Sequence, residues 1–493
     1  MHNKTEQKES LDTVSETSDE NIDEEPAVKI NLKASIAGVA GNALEWYDFA
    51  TFGFFSDAIS KNFFPPEEDD NAALIKTFAV FGAAFCARPF GGLLIGILGD
   101  THGRKRALVT SIILMVIPTF LLGCLPPFSM IGWGSTCLLV ILRLLQGLSV
   151  GGQGYSSLTF TLEQTHKSRW CFWGSTLYAS SCIGVTVGSA FSAILRETLT
   201  EEQLIAWGWR IPFFFAIFGT IPAIYLKYNF KENQVNNTAD GMKSSQIMKQ
   251  KKNPLRETFR GSNLRALLAA IILPSAGSST YYLTYIWIAT YMETIMDPPV
   301  PHAMTINAVT GIVGGVFITV WGGWIGDKVG DYPKQLFLSF LSLAIISPFL
   351  FFLIGKSWGS DASIPYVCFI LQMVLAVLLA LLSGPSSPWL LLKFPPEVRL
   401  TSVALGSGIA TLFWGGFSPA IATALYDNFG RSAPGFFISI SAIVSMQALW
   451  IAPKVTYGVK SSVHQLNEMN MESKEPSHLR DDDDKLTNNI EII

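Results

Sequence analysis

The sequence predicts an all-α polytopic membrane protein with twelve transmembrane helices in two six-helix halves. Its 493 residues are 49% hydrophobic and only 15% charged, whereas about a quarter of the residues are charged in an ordinary soluble protein. Apolar runs of about 20 residues, the length of a helix that crosses a bilayer, recur along the whole chain. A short glycine and aspartate pattern repeats at the ends of the second and eighth runs, which indicates two related halves.

The N-terminal half is predicted at 34–226. It follows a polar and acidic segment, 1–33, which has the composition of neither a signal peptide nor a transit peptide. We expect that segment to be a disordered cytosolic tail. Hydropathy and helix breakers place the first six spans at about 34–60, 72–99, 105–126, 135–163, 170–196 and 208–226.

The C-terminal half is predicted at 266–452, after a basic cytosolic loop at 227–265. A second disordered cytosolic tail is predicted at 453–493, because this segment is polar and contains an acidic run. The second six spans are predicted at about 266–292, 302–326, 333–355, 364–392, 399–427 and 433–452.

The orientation follows from the positions of lysine and arginine. The turn after the second span, the turn after the fourth span and the central loop all carry these cations, and they fall on one side when twelve spans are counted. The opposite loops contain acidic clusters. We therefore expect both termini to be cytoplasmic, and the plasma membrane is the default location in the absence of a targeting signal.

The repeated pattern predicts a conformational gate on the cytosolic side. It is Gly-x-x-Gly-Asp-x-x-Gly, and it occurs from Gly96 to Gly103 and again from Gly323 to Gly330. Glycines permit a sharp reversal and close helix contact, while an aspartate and a nearby arginine can form bonds that break when the halves move. The predicted gate residues from this pattern are Gly99, Asp100, Gly103, Arg104 and Asp327.

Two acids, Glu45 and Asp48, lie inside the first predicted span. A charge in hydrocarbon costs several kcal/mol by most measures, so such residues usually face protein or water and serve a function. With Asn42 they share one helix face. Helix rise places them at about the depth of two cations, Arg88 on the second span and Arg143 on the fourth.

Competing influences on these acids predict proton coupling. Burial disfavours the charged carboxylate and a nearby arginine favours it, so opening the site or binding an anion shifts the balance. We predict that Glu45 or Asp48 carries a proton, and that Arg88 or Arg143 holds either that carboxylate or an acid group of the substrate. Each arginine has an alternative role as a purely structural ion-pair partner.

Aromatic side chains are also candidates to line the cavity, because aromatic faces bind quaternary ammonium groups; packing or interfacial anchoring is the alternative for each. The candidates are Trp46, Tyr47, Tyr155, Tyr281, Tyr282, Tyr285 and Trp287. The sequence contains no nucleotide-binding loop, no His/Cys metal cluster and no Ser-His-Asp signature. We therefore expect neither an enzyme nor a cofactor or metal site.

The gate pattern resembles the cytosolic turn of the major facilitator superfamily, and the run from Arg143 to Gly152 resembles its fourth-helix motif. Within that superfamily, the stretch from Gly41 to Phe49 is similar to the metabolite:proton symporter family, which includes proline/betaine, citrate, 2-oxoglutarate and shikimate carriers. Arg169 with Glu163 resembles the cytosolic gate network. Gln153 departs from the family pattern, in which a glutamate is common at this position, and this puts the substrate and the coupling in doubt.

The resemblance implies proton-coupled uptake of a small organic acid or zwitterionic osmolyte by alternating access. The alternatives are uncoupled or exchange transport, and a membrane sensor of the same fold without flux. We expect a small-molecule substrate, a proton and the lipid bilayer as partners, no nucleic acid, and function as a monomer. The candidate substrate-binding residues are Asn42, Tyr47, Arg88, Arg143, Gln153, Tyr282 and Tyr285.

Overall fold

The computed structural model describes residues 32–65, 70–163, 165–229, 254–296, 299–354 and 364–454. Within these ranges the chain forms helices and no strands. The predicted acidic N-terminal tail, most of the predicted central loop and nearly all of the predicted C-terminal tail lie outside the described residues.

Twelve long helical segments, α1 to α12, follow one another along the chain. In the N-terminal half they are α1 Leu32–Phe54, α2 Asp70–His102, α3 Arg104–Cys124, α4 Trp133–Glu163, α5 Trp170–Thr198 and α6 Glu201–Tyr228. In the C-terminal half they are α7 Ser262–Trp287, α8 Ala303–Val329, α9 Tyr332–Ile354, α10 Ile364–Leu391, α11 Arg399–Phe429 and α12 Ala433–Ile451. A short helix, Ser56–Phe63, joins α1 to α2.

Among the described residues, eleven helices are long and apolar enough to cross a membrane: α2, in part, and α3 to α12. Helix α1 is not one of them, because it carries the polar group of Asn42, Glu45 and Asp48. It nevertheless packs lengthwise against α5 and α4 inside the bundle. The predicted all-α membrane fold is therefore confirmed.

The sixth helix begins earlier than the predicted position 208. Thr200 and Gln203 form a capping box, in which each side chain bonds to the backbone of the other, and this starts the helix at Glu201. The glycine at 208 ends a π turn, Leu204–Gly208, and does not start the helix. Further π turns interrupt α7, α8 and α11, so these helices are less regular than α3 or α9.

Glycines allow α2 and α4 to touch through their backbones. A Cβ atom at Gly147 or Gly151 on α4 would collide with the carbonyl groups of Ala84 or Arg88 on α2. A Cβ atom at Gly91 on α2 would collide with the backbone of Leu148 in the same way. This close approach holds the backbone of Arg88 against α4 and so fixes the position from which its side chain extends.

The two halves meet along two seams. Helix α2 packs against α11, and α5 packs against α8 and α10. Small residues again permit the contact, because a Cβ atom at Gly96 would meet the backbone of Thr401 and one at Gly323 would meet Cys171 and Ser175. These two seams enclose the central space between the halves.

Candidate functional site

A cavity of about 160 Å³ lies between the two halves. Helices α1, α2, α4 and α5 line it from one half, and α7, α10 and α11 from the other. Its charged, amide and aromatic lining consists of Asn42, Glu45, Trp46, Arg88, Tyr155, Tyr178, Tyr281 and Tyr282. Because both halves contribute, a ligand here would contact the two bodies that must move in alternating access.

Arg88 is the cation of this cavity. Its guanidinium group lies between two aromatic rings, 4.6 Å from the ring centre of Phe49 and 4.1 Å from that of Phe85. Cation–π contacts of this kind orient an arginine. Arg88 is only 5% exposed, has no ion-pair partner within the part of the chain that the structure describes, and its Nε makes no hydrogen bond there. It is close enough to Glu45 to interact with it electrostatically, but a buried cation that lacks a direct ion pair still suits an anionic ligand.

Glu45 is the carboxylate of the same cavity. It is 5% exposed, and its Oε2 has no hydrogen-bond partner among the described residues. Gly154 on α4 borders it, since a Cβ atom there would be in van der Waals contact with Oε2, at 3.8 Å, and with Oδ1 of Asn42, at 3.4 Å. An unpaired buried carboxylate is costly when charged, so this group is suited to binding a proton.

Asn42 ties α1 to α5 beside the cavity. Its Nδ2 lies 2.8 Å from the carbonyl oxygen of Leu177 and 2.9 Å from the hydroxyl oxygens of Ser180 and Ser181. The side-chain oxygen remains on the side of Gly154 and Glu45. Asn42 therefore positions the helix turn that carries Glu45, and one of its atoms faces the cavity.

An aromatic group closes one side of the cavity and joins the two halves. The ring of Trp46 on α1 lies 4.9 Å from that of Tyr281 and 6.2 Å from that of Tyr282, both on α7. Tyr282 also packs at 6.2 Å against Phe85, one of the two rings that flank Arg88. The hydroxyl of Tyr282 is buried beside the guanidinium group of Arg88, so both groups face the same part of the cavity.

Asp48 and Arg143 lie apart from this cavity as a closed ion pair. Their charged groups are 2.9 Å apart, and the two side chains are 2% and 0% exposed. Asp48 also accepts hydrogen bonds from Thr119 at 2.8 Å and from Gln146 at 2.7 Å. The guanidinium group of Arg143 lies 3.6 Å from the ring centre of Phe52. The structure thus separates the two predicted proton carriers, because only Glu45 faces the cavity.

Four of the predicted substrate-binding residues do not line this cavity in the described structure. Arg143 is paired with Asp48, as described above. Tyr47 follows Trp46 by 100° around α1 and points to α6, where its hydroxyl donates to the carbonyl of Pro212 at 2.7 Å. Tyr285 lies one turn beyond Tyr281 and packs against its ring at 5.3 Å.

Gln153 is the fourth predicted substrate-binding residue outside the cavity lining. It is fully buried between α4 and α1, where its Nε2 donates to the carbonyl of Gly41. The cavity instead contains residues that the sequence reasoning missed, Tyr178, Ser181 and three serines of α10. The signal for the last group was present in the run from Ser383 to Pro388, which is unusually rich in serine and proline for a membrane span.

The two repeated aspartates each cap a helix of the other half. Asp100, at the end of α2, accepts hydrogen bonds from the first backbone amides of α11, at 3.2 Å from Leu400 and 2.7 Å from Thr401. Asp327, at the end of α8, accepts from the first amides of α5, at 2.8 Å from Cys171 and 2.9 Å from Phe172. A carboxylate at a helix N-terminus satisfies free amides and complements the helix dipole. The pair of caps therefore ties the halves together on this side.

A charged network surrounds the first of these caps. Arg104 pairs with Asp100 and lies 3.4 Å from Glu163, and Glu163 lies 3.2 Å from Arg399 on α11. The predicted partner of Glu163, Arg169, does not bond to it and lies at the start of α5. Gly103 has φ of 102°, a conformation that favours glycine, at the turn between α2 and α3.

Four leucines separate the cavity from this gate. They lie in the cavity wall towards the gate ends of α4, α5, α7 and α10, and they belong to one buried cluster: Leu158, Leu177, Leu273 and Leu390. The two aspartate caps lie beyond them, and we expect the leucines and the caps together to close the cavity on the side that we predict to be cytosolic.

We expect Asp100→Asn to loosen this closure. The amide keeps the shape but loses the charge that holds two helix amides and Arg104, and hydrogen bonds to a charged group contribute about 1.5–3 kcal/mol each. A cysteine placed at Leu390 in a background without the native cysteines should then react faster with a membrane-impermeant maleimide from the cytosolic side. Asp331→Asn is the control, because Asp331 caps only its own turn, at the amide of Lys334. Equal reactivity in the two variants would contradict the assigned role of Asp100.

Comparison with known proteins agrees with the family resemblance of the sequence motifs. The family model described as Major Facilitator Superfamily matches residues 48–360. The proline/betaine transporter of Salmonella typhimurium is 29% identical over 420 residues, which cover 84% of this chain and 82% of that protein. The citrate-proton symporter of Klebsiella pneumoniae is 28% identical over 422 residues, which cover 85% of this chain and 90% of that protein.

Solved structures share the fold. The proton:xylose symporter XylE of E. coli, bound to 6-bromo-6-deoxy-D-glucose, matches with a TM-score of 0.66 at 15% identity. The match covers 85% of this chain and 94% of that one. At this level of identity the likeness concerns the fold alone, and it confirms the predicted arrangement of helices.

Proposed function

The chain belongs to the Major Facilitator Superfamily, and from this premise we propose that it carries a small organic acid or zwitterion into the cell together with a proton. The site between its halves suits such a reaction. Arg88 would bind the carboxylate of the substrate, and Glu45 would bind the proton. The relatives named as proline/betaine transporters and as a citrate-proton symporter support this class of transport.

One observation carries the proposal: a cation and a carboxylate face the same cavity, close enough to interact electrostatically but not joined in a direct ion pair within the described structure. Unpaired charges in a membrane interior are expensive and usually functional. Binding of an anionic group at Arg88 and of a proton at Glu45 would remove both unpaired charges. Loading both ligands would therefore lower the cost of closing the cavity.

The size and charge of the cavity limit the substrate. A volume of about 160 Å³ is small beside the several hundred Å³ of typical ligand pockets. Its one guanidinium group suits one carboxylate, and the aromatic faces of Trp46, Tyr281 and Tyr282 suit an apolar or cationic remainder. We therefore favour a compact monocarboxylate or zwitterion over a tricarboxylate.

Coupling to movement would proceed through the gate. We propose that the aspartate caps of α5 and α11 and the four leucines close the cytosolic side in the state described here. Loading of Arg88 and Glu45 would allow the halves to rock, which breaks the caps and opens the cavity towards the cytosol. Release of the proton and substrate would then leave both charges free again. We also propose a plasma-membrane location, cytoplasmic termini and function as a monomer, as the distribution of cations and the fold suggest.

Uptake into proteoliposomes tests the proposal. Labelled glycine betaine, L-proline, shikimate and citrate would be supplied with and without a pH gradient that is acidic outside. We expect accumulation of a monocarboxylate or zwitterion that depends on the gradient. Uptake that requires internal substrate and ignores the gradient would indicate exchange. Absence of uptake for every compound would favour the sensor alternative.

A further inference from the structure

Gln153 donates a hydrogen bond to a neighbouring helix from a buried position. It is 0% exposed between α4 and α1. Its Nε2 donates to the carbonyl of Gly41 on α1, and its Oε1 lies 3.2 Å from the hydroxyl of Ser149, one turn earlier on α4. Because the single hydroxyl proton of Ser149 is donated to the carbonyl of Ser111 at 2.6 Å, the main hydrogen bond of Gln153 is the one that its amide donates to the neighbouring helix.

The carbonyl that Gln153 binds belongs to the helix turn of the proton site. In an α-helix the carbonyl of residue i accepts the amide of residue i+4, so the carbonyl of Gly41 receives the amide of Glu45. The next residue of α4, Gly154, borders both Asn42 and Glu45. A bond to the carbonyl of Gly41 therefore fixes the turn that presents these two groups to the cavity.

We propose that Gln153 is a positioning residue, which holds the turn Gly41–Glu45 against α4 through a donor that cannot be deprotonated. The proposal rests on the proposed function in assigning the proton to Glu45. Its consequence is that the contact between α1 and α4 stays the same when Glu45 gains or loses a proton. Proton binding is then confined to one acid of the cavity lining, and the scaffold beside that acid does not change with pH.

A glutamate at 153 has the same length as glutamine, but its ability to donate a hydrogen bond depends on pH. When it is protonated, its hydroxyl can donate to the carbonyl of Gly41, as the amide of Gln153 does. When it is ionised, it has only acceptors and faces an acceptor, which leaves a buried bond unmade.

With an ionised glutamate at 153, no other titratable or charged group among the described residues of the surrounding helices is placed to donate to the carbonyl of Gly41 in its stead. Glu45 on α1 is an acid itself, and Asp48 and Arg143 are already paired with each other. Arg88 on α2 is directed between two phenylalanine rings. From the remaining neighbours, α3 presents Ser111, α4 presents Tyr155, α5 presents Tyr178, and the arginine of α11, Arg399, is engaged with Glu163.

The test compares Gln153→Glu with Gln153→Met. The first readout is the thermal unfolding midpoint of the purified full-length protein, which requires no substrate. The second is the rate of counterflow, with equal pH on both sides, for the compound that wild type carries in the uptake screen. We expect Gln153→Met to be impaired at every pH. Gln153→Glu should be within about twofold of wild type near pH 5 and about tenfold slower near pH 8, with a parallel fall in its unfolding midpoint.

A merely space-filling role would give a different pattern. If Gln153→Met kept the wild-type midpoint and rate at both pH values, no donor would be needed and the proposal would be overturned. The same conclusion would follow if Gln153→Glu were as impaired as Gln153→Met near pH 5. Should wild type carry none of the screened compounds, the proposed function would fail, while the unfolding midpoints would still decide the role of Gln153.

Discussion

Replacement of Arg88 by glutamine should reduce uptake by about 10- to 150-fold, which is the loss expected when a hydrogen-bonded charge pair worth about 1.5–3 kcal/mol is removed. The reason is that Arg88 is the one cation in the described lining of the cavity. Arg88→Lys should recover only part of the activity, because lysine keeps the charge but not the planar fork that binds a carboxylate through two bonds. Initial rates over a range of substrate concentrations measure the effect.

Arg196 provides a matched control for Arg88. It also lies over a phenylalanine, 5.8 Å from the ring centre of Phe55, but it pairs with Asp57 at an exposed position outside the cavity. Exposed pairs contribute at most about 1 kcal/mol, so Arg196→Gln should leave uptake close to wild type. Wild-type uptake by Arg88→Gln would refute the assignment of Arg88 to the substrate carboxylate.

Replacement of Asp48 by asparagine should destabilise the protein by about 3–5 kcal/mol, because it leaves the buried charge of Arg143 without a partner. The double variant Asp48→Asn with Arg143→Gln should regain a large part of this loss, since it removes both charges together. Thermal unfolding in detergent and the yield of folded protein measure the two effects.

The exposed pair Lys61 and Glu201, 3.2 Å apart, is the control for this cycle. Glu201→Gln should change stability by no more than about 1 kcal/mol. If Asp48→Asn proved as stable as wild type, or if the double variant were no better than the single one, the ion pair would not have the structural role assigned here.

The sequence allowed the membrane spans and several members of the site to be predicted, because their signals are local. Charged residues stand out in an apolar helix, and the repeated glycine and aspartate pattern marks the gate. The sequence did not distinguish the roles of Glu45 and Asp48, since both lie on one face of α1. Their roles differ because α3 and α4 supply partners to Asp48 alone, and such tertiary contacts leave no mark in the sequence near either acid.

The gate shows the same limit. Both aspartates were visible in the repeat, but the amides that they bind belong to α11 and α5, about 300 and 155 positions away. Likewise, Gln153 raised a doubt about coupling because an amide replaced an acid of the family pattern. The structure places that amide in a contact between helices, so the loss of an acid at 153 does not remove the acid that faces the cavity.

The most direct test of the account is the accumulation of substrate by Glu45→Gln in proteoliposomes with an acidic exterior. Wild type should concentrate the substrate inside as long as the pH gradient lasts. Glu45→Gln keeps a neutral side chain of the same shape, so it should still exchange substrate across the membrane but only reach equal concentrations on the two sides, with or without the gradient. Accumulation by Glu45→Gln to the wild-type level in response to the pH gradient would contradict the assignment of the coupled proton to Glu45.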